Sequence, residues 1–254
     1  AVDFYMNEEP DIIKPAYKFE LNSESYFWNY NDFAKLRIEN KDSLSLKFYA
    51  IKLLQDLTVF HGNSSTDVES LVDVDLKRLK FVRNKSIVEY KDSLYLQALE
   101  RLEKKFLSSP ASTEVSYEIA LAHNTKAAKY QPLVSDENKW EKKTALAICE
   151  EAIKRFPESY GATNCKHLQS LIKARSLGFN VEQANLPGKP FRARVQYTNV
   201  SKVYFRIVKQ DADRFSKDIE NYYGEKLIKK LLSSETVKEW SIDLPSDGDH
   251  QSHS

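Results

Sequence analysis

Cys149 and Cys165 are the residues of this chain best placed to do chemistry on one another. Cys149 lies eight residues before Pro157 and Cys165 eight residues after it, and both flanks carry helical spacing. At about 1.5 Å of rise per residue, each cysteine sits about 12 Å from the turn, so an antiparallel helical hairpin brings the two to one level. That spacing admits a disulfide, and it equally admits two small thiols packed between helices. Two cysteines are too few for a disulfide framework or a structural zinc site.

Other reactive patterns are weaker. The glycines Gly62, Gly161, Gly178, Gly188, Gly224 and Gly248 are scattered and form no Gly-x-Gly-x-x-Gly or Walker loop, so no nucleotide cofactor is expected. His250 and His253 sit three apart in what reads as a frayed terminus, and there is no His-Glu-x-x-His, so no metal is expected. Ser170-Leu171-Ile172-Lys173 matches the short Ser-x-x-Lys pattern of penicillin-recognising enzymes, but it falls within a helical stretch and lacks the Ser-Asp-Asn and Lys-Thr-Gly companions. Glu150 and Glu151 are adjacent, which turns their carboxylates about 100° apart on a helix rather than toward one substrate atom. No catalytic, cofactor-binding or metal-binding residue is assigned, and an interaction or scaffold role is the default.

The elements that position these residues follow from length and pattern. The chain has 254 residues, 41% hydrophobic and 30% charged, which suggests one or two ordered domains. Thirty-eight Lys and Arg nearly cancel 37 Asp and Glu, so the cationic field that drives nucleic-acid binding is missing. No run of residues is apolar enough for a membrane span. From Asp42 to about Ser176 the apolar spacing is helical, giving expected helices at Ser43–Phe60, Asp73–Arg83, Asp92–Leu107, Thr113–Tyr130, Trp140–Phe156 and Ala162–Ala174. Residues 1–40 read as irregular chain with short helices covering the bundle. Ala98, Leu102 and Pro110 recur 47 residues later as Ala145, Cys149 and Pro157, with Ala152 added, a spacing like the second helix of a tetratricopeptide repeat.

Past Ser176 the period changes. Phe191, Ala193, Val195 and Tyr197 alternate with Arg192, Arg194, Gln196 and Thr198, as a half-buried strand does. Val203–Lys209 and the run through Trp240, Ile242 and Leu244 read as further strands, Phe179–Leu186 as a weaker one, and about 211–232 as an amphipathic helix. The expected class is α+β: a tetratricopeptide-like helical domain over 1–177, then an incomplete antiparallel β domain over 178–254. Too few strands close the sheet, so the β domain reads as cut short. Arg192, Arg194 and Arg206, with Lys202 and Lys209, form a basic row that faces either water or an acidic partner.

Several stretches together carry a family resemblance. They are Asp75-Leu76-Lys77-Arg78-Leu79-Lys80-Phe81-Val82, Ile148-Cys149-Glu150-Glu151-Ala152-Ile153, Phe156-Pro157-Glu158-Ser159-Tyr160-Gly161-Ala162-Thr163-Asn164-Cys165, Pro190-Phe191, Val195-Gln196-Tyr197-Thr198-Asn199-Val200 and Tyr204-Phe205-Arg206-Ile207. They resemble the N-terminal region of Bacteroidetes-type bacterial alpha-2-macroglobulin-like proteins, over nearly the whole chain. The resemblance implies a piece of a large extracytoplasmic protein, in the periplasm or at the cell surface and anchored by lipid through the parent chain. In such proteins a helical region leads into macroglobulin-like β-sandwich domains, and the parent traps proteases. Its thioester motif, Cys-x-Glu-Gln, is absent: Cys149-Glu150-Glu151-Ala152 lacks the glutamine and Cys165-Lys166-His167-Leu168 lacks both acyl-bearing partners. The implied partners are neighbouring domains of the parent chain and, through the parent, proteases. The implied address favours the Cys149–Cys165 bridge. Two functions are thus expected. One is a non-catalytic module of a protease inhibitor. The other is a cell-surface lipoprotein whose helices grip a glycan or protein partner, with Trp28, Tyr26, Tyr30 and Trp140 as exposed stacking aromatics.

Overall fold

A computed structural model describes residues 1–6, 17–63, 67–182, 185–186 and 189–254. The fold is α+β and divides into two compact units, Ala1–Lys173 and Ala174–Ser254. Leu177-Gly178, expected as the seam, lies inside the first strand.

The first unit is helical: α1 (Val2–Tyr5), a 3-10 turn at Glu24–Phe27, α2 (Tyr30–Ala34), α3 (Leu46–Gly62), α4 (Val68–Lys85), α5 (Lys91–Lys105), α6 (Ser112–Ala127), α7 (Glu141–Arg155) and α8 (Tyr160–Lys173). From α3 to α8 each helix packs on the next, and α6 also touches α8. Ser45 caps α3 by accepting from the Phe48 N–H at 3.2 Å, which satisfies one of the donors a helix start leaves unpaired. α4 is buried on most of its circumference, through Leu71, Val72, Val74, Leu76, Leu79, Phe81 and Val82 together with Asp75 and Arg78. A core helix of this kind needs neighbours on every side.

One of those neighbours is the chain before α3. Residues 7–16 of the expected irregular N-terminal stretch lie outside the described residues, but from Tyr17 onward the chain lies along the bundle and buries Phe19, Leu21, Tyr26, Phe27 and Phe33 in the main core. Each such side chain contributes about 1.5–3 kcal/mol by leaving water. Leu21 is held in register by its carbonyl, which accepts from the Ile87 N–H at 3.1 Å and the Ser86 hydroxyl at 2.8 Å.

At the other end of the unit the recurring small residues are all inside: Ala98 and Leu102 on α5, and Ala145, Cys149 and Ala152 on α7. A polar knot crosses three helices there. Arg155 Nη2 donates to Glu103 Oε1 at 2.9 Å and to Ser116 Oγ at 2.7 Å, and Ser116 also donates to Glu103. The tightest approach is at Gly161, where a Cβ would stand 2.2 Å from the Thr113 carbonyl carbon and 2.3 Å from the Glu114 nitrogen.

The second unit contains β1 (Ser176–Val181), β2 (Ala193–Thr198), β3 (Lys202–Val208), α9 (Ala212–Asn221), α10 (Glu225–Leu232) and β4 (Thr236–Asp243). β1 pairs antiparallel with β2, placing Phe179 opposite Val195, and β3 pairs antiparallel with β4, placing Phe205 opposite Trp240. The two small sheets meet through aromatics: Phe205 stacks on Trp240 at 5.1 Å, and Phe179 lies 5.6 Å from Phe205. The strand expected at Phe179–Leu186 starts and ends earlier, and its Gln183 and Ala184 lie outside the described residues. The single helix expected over about 211–232 is two helices, because Gly224 takes φ +54° and turns the chain between them.

The terminus expected to fray is docked. Tyr197 and His253 exchange both backbone hydrogen bonds at 2.9 Å, their rings stack at 5.5 Å, and His253 Nε2 lies 2.9 Å from the buried Asp249 carboxylate. The Tyr197 hydroxyl donates to the Pro245 carbonyl at 2.7 Å. Backbone pairing to the free edge of β2 supplies what the composition of the last residues did not advertise.

The approach at Gly161 fixes an expected outcome. Gly161→Ala lowers the unfolding free energy by about 1–3 kcal/mol, since backbone rather than a movable side chain meets the new methyl. Gly62→Ala, with nothing within 4 Å, changes it by less than about 1 kcal/mol. Urea midpoints of the two variants check both.

Candidate functional site

The strongest site geometry lies where the covering chain crosses α4 and α5. Trp28 occupies an extended link, φ −60° and ψ 164°, between two capped turns. On one side the Ser23 hydroxyl accepts from the Ser25 N–H at 3.2 Å; on the other the Asn29 side-chain oxygen accepts from the N–H groups of Asn31 at 3.1 Å and Asp32 at 3.2 Å. Beneath the link sits Arg78, whose side chain is 0% exposed. Its Nη1 donates to the Tyr26 carbonyl at 2.5 Å, its Nη2 to the Trp28 carbonyl at 2.9 Å, and its Nε to Asp75 Oδ1 at 2.7 Å. The guanidinium also lies 4.4 Å from the centroid of Phe33, a cation–π contact in a dry setting. Arg101 Nη2 completes the set by donating to the Phe27 carbonyl at 3.0 Å.

Three successive carbonyls, of Tyr26, Phe27 and Trp28, are thereby held by two arginines from α4 and α5. Such a backbone cannot shift without stranding buried donors. Burial pushes the Asp75 carboxyl up and the Arg78 guanidinium pulls it down. The indole of Trp28, by contrast, faces out and is 49% exposed.

Two adjoining cavities, of about 500 and about 300 Å3, share Trp28, Asn29 and Arg101, and are taken together as the two arms of a groove along Trp28. Their size lies in the range of small-ligand sites. Lys35 and Arg37 edge one end, and Tyr30, Asn31 and Lys105 the other. Tyr30 is half-buried, its ring 5.8 Å from Phe106. Arg37 pairs with Glu39 at 3.3 Å, while Lys35, Arg101 and Lys105 make no ion pair among the described residues. What the arrangement offers chemically is a rigid flat apolar face, amide groups and positive charge; it has no nucleophile paired with a base.

Of the four aromatics expected to be exposed, Tyr26 is a correction: it is 7% exposed and packs in the core. Trp140 is exposed and far along the chain, where Lys139 and Lys143 lie 5.1 and 5.6 Å from its ring.

Cys149 and Cys165 are brought together by α7 and α8, and both are buried, free thiols, the one of the two arrangements admitted by the hairpin spacing that differs from the bridge implied by the family resemblance. The hydrogen bond to the Cys165 sulfur, followed by burial, pushes the Cys149 thiol well above its ordinary value.

Arg192, Arg194 and Arg206 are divided between the two sheets. Arg194 stands on β2 opposite Asn180, with Arg192 just before that strand, whereas Arg206 is on β3 in the other sheet. Arg206 is also engaged, with Nη2 at 3.2 Å from both oxygens of Glu239, and Lys202 pairs with Asp243 at 3.3 Å. Cross-strand pairing in an antiparallel sheet consumes these charges, which the alternation of one strand alone does not reveal. Ser170 donates to the Lys166 carbonyl of its own helix, and Glu150 is exposed beside Lys173 at 3.6 Å. Among the described residues there is no group of three or more His, Cys, Asp or Glu able to hold a metal ion, and no helix is long and apolar enough to cross a membrane.

Compared with known proteins, the chain matches no family model, no curated protein and no solved structure.

Two outcomes follow from this geometry. Arg78→Met leaves Asp75 buried and unpaired and costs about 3–5 kcal/mol of stability, while Arg78→Met combined with Asp75→Asn recovers part of it; chemical denaturation of the single and double variants measures the difference. In the reduced native protein neither thiol reacts with a bulky aromatic disulfide reagent at neutral pH, and both react once urea unfolds the chain, as absorbance of the released thiolate reports.

Proposed function

We propose that the chain is a non-catalytic structural and interaction module of a bacterial alpha-2-macroglobulin-like protease inhibitor. In this reading the first unit is a rigid tetratricopeptide-like platform, and the second belongs to a macroglobulin-like sandwich completed by neighbouring domains. The parent is extracytoplasmic and held by a lipid anchor, and protease trapping is the parent's activity.

The observation that supports this reading is the thin core of the second unit. Among its described residues only Tyr197 and Val203 are buried hydrophobics, while Leu177, Phe179, Val181, Val237 and Ile242 on the strands and Phe215, Ile219, Ile228 and Leu232 on the helices stay about half exposed. Two-stranded sheets are marginal in water on their own, and half-exposed apolar side chains in such number fit a unit that associates. An amphipathic pair of helices with their apolar sides open fits a unit that finishes its core against something else.

The test has two arms. The reading frame is followed past Ser254: repeated β domains support the proposal, and a stop codon there overturns it. The polypeptide extended by the next domain is then compared with the present chain by hydrogen exchange. Slower exchange of the β4 amides in the longer protein is the expected result, and unchanged exchange rejects the shared sandwich.

A further inference from the structure

Lys35 and Arg101 line one cavity beside Trp28, and Arg101 and Lys105 the adjoining one, on a chain whose net charge is only +1. Asp75 is bound by Arg78, and Asp32, which accepts from the Asn29 amide at 2.5 Å, is the one further carboxylate that lines the groove against these three cations. The local field of the groove is therefore positive although the protein as a whole is nearly neutral. The Trp28 carbonyl is clamped by Arg78 and the preceding one by Arg101, so the backbone that carries the indole is fixed before any ligand arrives and no backbone ordering entropy is lost on binding.

We propose that this groove binds an acidic oligosaccharide, a chain of pyranose rings bearing carboxylates. One ring lays its C–H face on Trp28. Its carboxylate and that of the adjoining ring meet Arg101, Lys105 and Lys35, and the ring hydroxyls exchange hydrogen bonds with Asn29, Asn31 and Asp32. A neutral sugar leaves three cations unused. An acidic peptide supplies carboxylates but no array of hydroxyls for the amides of Asn29 and Asn31. Single-stranded nucleic acid stacks on a run of aromatics along a basic track; here Tyr30 is turned onto Phe106, leaving Trp28 as the stacking face. Glycan binding at Trp28 neither requires nor excludes the inhibitor role, because the groove lies within the helical unit.

The experiment is titration calorimetry of the full chain at low ionic strength with trigalacturonate, maltotriose, hexaglutamate and a short oligothymidylate. Trigalacturonate is expected to bind, more weakly as salt rises, and more tightly than the other three. Trp28→Ala weakens it about tenfold, the loss of one good aromatic contact. Lys105→Glu, an exposed change in the last turn of α5 that lowers the melting temperature only slightly, weakens it several-fold, and Trp140→Ala leaves it as it was. Absence of trigalacturonate binding, equal affinity for maltotriose, tighter binding of hexaglutamate or oligothymidylate, or affinity unmoved by both Trp28→Ala and Lys105→Glu overturns the assignment.

Discussion

A single buried guanidinium organises the helical unit. Arg78 sits on α4 with no exposed surface, and a charge in that position is tolerated only if its donors are matched. Asp75, one turn earlier on the same helix, supplies the countercharge, and the carbonyls of Tyr26 and Trp28 supply acceptors from a stretch about fifty residues away in sequence. Helix and covering chain are thus mutually dependent. Without the chain, α4 has an unsatisfied ion in its core; without Arg78, the short turns around Trp28 have carbonyls facing an apolar wall.

That dependence separates what was legible in the sequence from what was not. Local periodicity placed five of the six long helices to within three residues, because each has a stripe that must be buried, as with Asp92–Leu107 against the observed Lys91–Lys105; α4, buried on most of its circumference, starts at Val68, five residues before the expected Asp73. The change to alternation placed β2 and β3 for the same reason. The groove was not legible. Arg78 lies in the run Lys77-Arg78-Leu79-Lys80, which reads as a solvated face, and nothing local distinguishes it from its exposed neighbour Lys80. Tyr26 and Trp28 are two residues apart and of similar type, yet one is in the core and the other in water; only the three-dimensional path over α4 decides between them. Gly224 was a signal present but unused, a glycine inside an amphipathic pattern that here ends one helix and starts the next.

The two units also differ in how their apolar side chains are spent. The helical unit buries Phe, Leu and Val from both the bundle and the covering chain in two clusters that between them draw on every long helix. The β unit relies on Phe179, Phe205 and Trp240 meeting between two small sheets, and on the docking of the last residues along β2. Cross-strand ion pairs such as Arg206–Glu239 add little on an exposed surface. The two proposals divide accordingly: ligand recognition is proposed for the well-packed unit and association for the sparsely packed one.

The crossing at Gly161 reaches beyond stability. Because α8 starts with a backbone hydrogen in contact with the first turn of α6, the two helices are closer there than any side chain allows. A distant cousin of this chain can exchange nearly all its surface and much of its core by compensating changes, but at this crossing it needs glycine four positions after the proline that ends the preceding helix, or else a different helix geometry. Any sequence that keeps this crossing therefore keeps, at that one point, a residue without a Cβ, whatever else around it changes.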